Sequence, residues 1–248
     1  MRKNTILEIC ASTYAAALAA YQAGADRIEL CSALTEGGLT PSQGLMAEVA
    51  KIPNLRKHIL IRPRSGDFLY SGEELKIMKA DIKVAKACGA DGIVVGALHK
   101  DGSIDIESMR DLITCAEGME VTFHRAFDMC RNPQQAIESI IKLGCRRILT
   151  SGQAPKADMA LDHISNYIKQ ASGRIIIMPG CGINKDNIRK IIECTGATEV
   201  HASASKFHAS RMAYKKFGVN MGTDEADEYG IIESDEKKIA EIIQAISY

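Results

Sequence analysis

Gly24-Ala25-Asp26-Arg27-Ile28 returns along the chain as Gly89-Ala90-Asp91-Gly92-Ile93, Gly144-Cys145-Arg146-Arg147-Ile148 and Gly196-Ala197-Thr198-Glu199-Val200. Each copy follows a helix-like stretch and opens a run of β-formers. The glycine supplies the left-handed residue that ends a helix, and the Ile or Val begins a buried strand. Between copies lies one further strand-like run, His58–Arg64, Glu120–His124 and Arg174–Pro179, with Thr5–Cys10 ahead of the first. Eight strands in 248 residues leave about 31 residues for each strand-plus-helix unit. Crossovers between parallel strands are right-handed and lay each helix on the sheet face. Eight such units close most simply into a (β/α)8 TIM barrel, here a single domain over residues 1–248. An open doubly wound sheet is the alternative, but no G-x-G-x-x-G follows the first strand.

The helical segments agree. Thr13–Ala23 is alanine-rich with Thr13 as its cap, and Ser71–Cys88 opens on the capping-box spacing Ser71 to Glu74. Ser103–Glu117, Asn132–Leu143, Lys156–Ala171, Asn184–Cys194 and the closing helix Glu236–Ile246 carry apolar residues at i, i+3 and i+4. Pro133 stands where a first-turn proline belongs. The acidic stretch Thr223–Glu236 reads as a solvated connection to the closing helix.

Composition narrows the function classes. Hydrophobic residues make up 46% of the chain and charged residues 25%, which excludes disorder. Lys+Arg and Asp+Glu both number 31, so bulk charge draws the chain neither to nucleic acid nor to an anionic membrane. The longest apolar runs, such as Ile175 to Met178, fall far short of the ~20 residues of a membrane span. The first residues lack the apolar core of an export signal. Eight cysteines stand singly with no C-x-x-C, as expected of free thiols in a cytoplasmic protein.

In such a barrel the active face is the C-terminal rim of the strands. Strand alternation puts Glu8 and Cys10 on one face and Leu7 and Ile9 on the other; Glu29 and Cys31 pair off likewise. A carboxylate aimed at the helix layer would be buried without partners. So Glu8, Cys10, Glu29 and Cys31 are expected inside the barrel, with Arg62 and Arg64 from the third run, Thr122 and His124 from the fifth, and Glu199, His201 and Ser203 from the eighth. A structural alternative has Glu8 and Glu29 pairing with Arg62 and Arg64 to hold the first three strands together. Cys10 and Cys31 occupy matching positions on adjacent strands, and two soft thiolates suit Cu(I); buried cysteines also serve simply as small hydrophobes. Loops after strands seven and eight commonly hold phosphate through backbone N–H groups. Gly180 and Gly182 permit close backbone approach there, and Ser151 adds a hydroxyl after the sixth strand. The plainer reading is that these glycines make turns.

Several stretches resemble the CutC copper homeostasis family: Leu7 to Cys10, Gly24 to Cys31, Glu36 to Ser42, Ile61 to Arg64, Gly66 to Tyr70, Val121 to Asp128, Ile148 to Ala154, Ile175 to Gly180 and His201 to Ser203. They run in order over about residues 7–206, leaving the acidic connection and final helix, residues 223–248, as the least family-like part. Cys181 stands where many members are expected to carry a third glycine. The resemblance implies a cytoplasmic TIM barrel, a homo-oligomer (dimer or tetramer), and a role in copper handling through Cys10 and Cys31.

Two functions follow as expectations. One is a copper-binding protein holding Cu(I) through Cys10 and Cys31. The other is a lyase, isomerase or hydrolase acting on a small anionic or phosphorylated substrate. In it Glu8 or Glu29 is the base, His124 the acid, and Arg62 and Arg64 a bidentate anion clamp, with Ser151, Gly180, Gly182, His201 and Ser203 as further substrate contacts. Glu8, Glu29, His124 and His201 could alternatively hold a catalytic metal. With aromatic residues at 5% and no Trp, nothing advertises a hot-spot surface for a protein partner.

Overall fold

A computed structural model of the chain describes residues 5–216, 218, 219, 221 and 228–247. Residues 1–4, and residues 223–227 of the acidic stretch, lie outside the described residues. The strands of the main sheet are β1 (Ile6–Ala11), β2 (Arg27–Leu30), β3 (Arg56–Leu60), β4 (Gly92–Val95), β5 (Glu120–Phe123), β6 (Arg147–Thr150), β7 (Ile176–Pro179) and β8 (Glu199–Ala202). The helices are α1 (Tyr14–Ala23), α2 (Gln43–Ala50), α3 (Gly72–Ala87), α4 (Ile106–Cys115), α5 (Pro133–Lys142), α6 (Leu161–Ala171), α7 (Ile188–Thr195) and α8 (Glu236–Ile246). All eight strands run parallel in the order β7-β6-β5-β4-β3-β2-β1-β8. The end strands β7 and β8 lie side by side, which wraps the sheet into the expected (β/α)8 barrel.

The repeated glycines do what the motif requires. Gly24, Gly89, Gly144 and Gly196 all have φ between 77° and 84° just past a helix. A side chain there would meet the steric penalty of the left-handed region. The next apolar residue enters the layer between barrel and helices, where Leu7, Ile9, Ile28, Leu30, Ile93, Phe123 and Ile148 are fully buried. Each such side chain contributes about 1.5–3 kcal/mol. Inside the barrel Cys10, Cys31, Leu60 and Val94 form a small apolar cluster of their own. The inward-outward alternation assumed for β1 and β2 is therefore the observed one.

Departures from the sequence reading have local causes. Helix α2, not anticipated, is a short segment capped by Ser42, whose hydroxyl accepts from Leu45 N–H. Helix α4 starts at Ile106 rather than Ser103 because Asp105 caps it. A 3-10 turn, Ala157–Met159, precedes α6. Helix α7 begins late because the side chains of Asn184 and Asn187 accept the nearby backbone N–H groups in turns of their own.

The stretch before α8 is also more than a solvated connection. Gly230–Ser234 forms strand β10, antiparallel to β9 (Ser205–Ala209). This hairpin is anchored over the end of β1. Ser234 Oγ donates to the Cys10 carbonyl at 2.6 Å, and Thr13 Oγ1 donates to Glu233 at 2.5 Å.

Candidate functional site

The fourth residue of each repeat, Arg27, Gly92, Arg147 or Glu199, opens β2, β4, β6 or β8. One side chain from each alternate strand makes a single layer of the barrel interior. Arg27 Nε donates to Glu8, and its Nη2 to Glu199 at 2.5 Å. Arg147 reaches Glu199 at 3.0 Å, Glu120 at 2.6 Å and Thr122 at 3.2 Å. Gly92 has no side chain because a Cβ would sit 2.7 Å from the His58 ring, which fills that quarter of the layer. Burial lowers His58 to about 4, so the ring is neutral between its carboxylate neighbours.

Glu8, from β1, packs against this layer through Arg27. It is fully buried and also accepts from His201 Nδ1 at 2.8 Å. Burial alone would raise its pKa, but Arg27 and His201 hold it well below the usual carboxylate range. A carboxylate so committed is a poor proton acceptor, which removes Glu8 from the expected base role. Its cationic partner is Arg27, not Arg62 or Arg64.

One step toward the C-terminal rim the barrel opens into a cavity of about 470 Å³ lined by Cys10, Glu29, Arg62, Phe68, His124, Arg125, Asp128, Leu149, Gly182, His201 and Ser203, among others. Donor atoms of Cys10, Glu29 and His201 lie within 4.8 Å of one another. Cys31 is fully buried behind them, its Sγ 3.5 Å from Cys10 Sγ. Burial raises Glu29 to about 7 against the pull of His201. Burial disfavours the His201 imidazolium, but Glu29 and the hydrogen bond to Glu8 outweigh it and raise its pKa. The Cys10 thiol is pushed well up by its hydrogen bond to Cys31, then by burial and the nearby carboxylates. All three groups thus favour their protonated forms more than the free side chains do. Three buried polar atoms on the cavity's lining residues have no hydrogen-bond partner: Glu29 Oε2, Arg62 Nε and His124 Nε2.

Other expected site residues are placed differently. Arg62 lines the cavity, yet three of its N–H groups are spent on the carbonyls of Glu36, Gly38 and Gly66. Arg64 points away, to Glu74 at 2.5 Å and Asp67 at 3.0 Å, so the two arginines form no anion clamp. His124 lines the cavity, but burial and Arg62 lower it to about 3, and its Nδ1 accepts from Ala126 N–H. It is a neutral ring, not an imidazolium acid. Ser151 is fully buried and bonds to Asp128 and the Ala154 carbonyl. Gly180 is packed against Leu149 and His201, where a Cβ would lie 2.5 Å from Leu149 Cδ1.

Sequence reasoning missed Arg27 and Arg147, although both sit in the repeat and, two residues before Glu29 and Leu149, share the inward face of their strands. It also missed Arg125 and Asp128, which follow β5 on a 3-10 turn and face the cavity, joined at 2.8 Å. Thr150, Ser151 and Gln153 all donate to Asp128, fixing that wall.

A family model described as the CutC family matches residues 5–206. A CutC family protein of Bacteroides thetaiotaomicron is 46% identical over 98% of this chain and 99% of its own length. The human copper homeostasis protein cutC homolog is 45% identical over 94% of this chain and 86% of its own. The crystal structure of CutC from Streptococcus agalactiae, 32% identical, superposes with a TM-score of 0.77 over 80% of this chain and 98% of that one.

Proposed function

The chain belongs to the CutC family, and from that premise we propose that it binds Cu(I) at the barrel mouth, through Cys10 and Cys31 with His201 and Glu29 beside them. One observation carries the reading: Cys10, Glu29 and His201 bring their donor atoms within 4.8 Å, with a second thiol 3.5 Å from the first. The donor set fits. Thiolates are the soft ligands Cu(I) prefers, and imidazole suits copper as well. Glu29 Oε2, buried without a partner, adds the negative potential that offsets a cation's lost hydration. Copper is cargo in this reading. The protein supplies two sulfurs, an oriented imidazole held by Glu8, and a pocket that trades protons for metal. Cytoplasmic residence and assembly as a homo-oligomer belong to the same proposal.

Competition against a Cu(I) chelator tests it. Wild type is expected to retain Cu(I), and Cys10→Ala combined with Cys31→Ala to lose at least about a hundredfold in affinity, as removal of both anionic ligands implies. Equal affinity in the double variant would sink the site.

A second reading rests on the unpartnered atoms of Glu29, Arg62 and His124 around the cavity. Buried polar groups are normally paired, so their arrangement favours a small polar ligand. In that reading Glu29, raised to about 7, is the acid-base group of an enzyme acting on a small anionic molecule. Turnover that Glu29→Gln abolishes is the expected sign of it.

A further inference from the structure

Next to the mouth lies a second cavity, of about 370 Å³, between the loop after β7, the loop after β8 and the start of α8. Gly182 and Ser203 line both cavities, so the two meet at one shared rim. Three lysines face the smaller one: Lys156, Lys185 and Lys238. Lys185 is paired with Glu241 at 3.1 Å, and Lys238 donates to the Ser205 carbonyl at 2.6 Å. The Lys156 ammonium has no hydrogen-bond or ion-pair partner among the described residues. Its stem lies against Gly182, where a Cβ would come within 2.9 Å of Lys156 Cγ; the glycine is what lets the ammonium sit at the rim. Asp186 is the remaining acidic lining residue, so the cations outnumber the acids.

The backbone adds donors. The N–H groups of Gly182, Ile183, Ser203 and Ala204 donate to no protein acceptor among the described residues. Among the described residues Ser203 Oγ is engaged with Ser205 Oγ alone, at 3.4 Å, which leaves its hydroxyl free to reorient. Unspent backbone donors, a hydroxyl and a point-charge ammonium match a tetrahedral dianion with several acceptor oxygens. Among the described residues no arginine fork lines this cavity to prefer a planar carboxylate. Loops after the seventh and eighth strands are where barrels of this kind place such a group.

We propose that this second cavity is a phosphate subsite, holding the phosphate of a small phosphomonoester over Gly182–Ile183 and Ser203–Ala204 with Lys156 as its counter-charge, while the organic end extends into the mouth toward Glu29 and His201. The proposal rests on the second reading above only for what the organic end meets. The phosphate contact is independent of both copper and turnover.

Calorimetric titration of the full chain at fixed ionic strength tests it, with glycerol 3-phosphate, inorganic phosphate and glycerol as probes. The ester is expected to bind saturably and more tightly than inorganic phosphate, and glycerol not at all. Lys156→Met, which keeps the apolar stem on Gly182, should weaken the ester by about tenfold or more, as loss of a charged hydrogen bond does. Ser203→Ala should weaken it less, and Lys156→Met should melt as wild type and bind Cu(I) unchanged. No saturable binding of the ester, or an unaltered Lys156→Met, overturns the subsite; inorganic phosphate binding as tightly as the ester overturns the placement of the organic end in the mouth. Ester binding without turnover of that probe leaves the subsite standing, because the phosphate contact does not depend on catalysis.

Discussion

The Sγ atoms of Cys10 and Cys31 lie 3.5 Å apart across neighbouring strands, one thiol hydrogen-bonded to the other. That bond, followed by burial and the charge of Glu29 and Glu8, keeps the Cys10 proton on sulfur at neutral pH. A metal ion must displace that proton. Apparent Cu(I) affinity is therefore expected to rise with pH across the neutral range, because each ligating thiol releases a proton on binding. Chelator competition at a series of pH values measures it, and a flat profile would argue against thiolate ligation.

Arg27 bridges Glu8 and Glu199 on the floor of the site. Removing one partner of a buried ion pair leaves an uncompensated charge, so Arg27→Ala should cost about 3–5 kcal/mol in urea unfolding. Arg64→Ala, whose partners are exposed or half-buried, should cost about 1 kcal/mol or less. Comparable losses in the two variants would contradict this account of the barrel floor.

Glu8 sets the acid limit. Its folded pKa is depressed, so its contribution to stability is complete above the unfolded value of 4.5 and fades as pH falls below it. Glu8→Gln should lose stability at neutral pH and show a weaker dependence on pH on the acid side. Urea titrations at several pH values between neutral and strongly acidic resolve both effects.

Glu29 behaves in the opposite sense. Its pKa is 4.5 in the unfolded chain and about 7 when folded. Between those values the unfolded chain has released a proton that the folded chain keeps, so this group lowers stability as pH rises through that window. Glu29→Gln should be more stable than wild type above neutral pH, by on the order of 2 kcal/mol, and no more stable at acid pH. A variant less stable than wild type at alkaline pH would refute a Glu29 carboxyl whose charge is disfavoured by burial.

Cys181 adopts φ of 77° without being glycine. Its thiol gains a hydrogen bond to the Pro155 carbonyl, but the left-handed backbone costs a residue with a Cβ more than it costs glycine. Cys181→Gly should therefore raise stability by about 0.5–1 kcal/mol, read as a higher melting temperature.

Much of the fold was legible because it depends on local chemistry that repeats. Glycine C-caps followed by Ile or Val marked the strand starts, and alternation set which face of β1 and β2 looks inward. Helix α2 and the β9–β10 hairpin escaped because neither carries the repeat, and the hairpin pairs segments separated by residues of mixed, acidic composition. At the site, Cys10, Glu29 and His201 were legible as inward-facing residues near strand ends. The partners of Arg62, Arg64 and Ser151 were not, since side chains of that length choose among acceptors that only neighbouring loops supply.

The sequence alone therefore determined the barrel, its strand positions and the polar character of its interior, because glycine stereochemistry and period-two alternation act within a few residues. Tertiary structure alone decided which charges meet. Arg27 and Arg147 neutralise Glu8, Glu120 and Glu199, and so leave Glu29 protonatable beside Cys10 and His201. That choice depends on the register between strands and on the stagger around the barrel, which bring together side chains as much as 193 residues apart, and no local pattern encodes it.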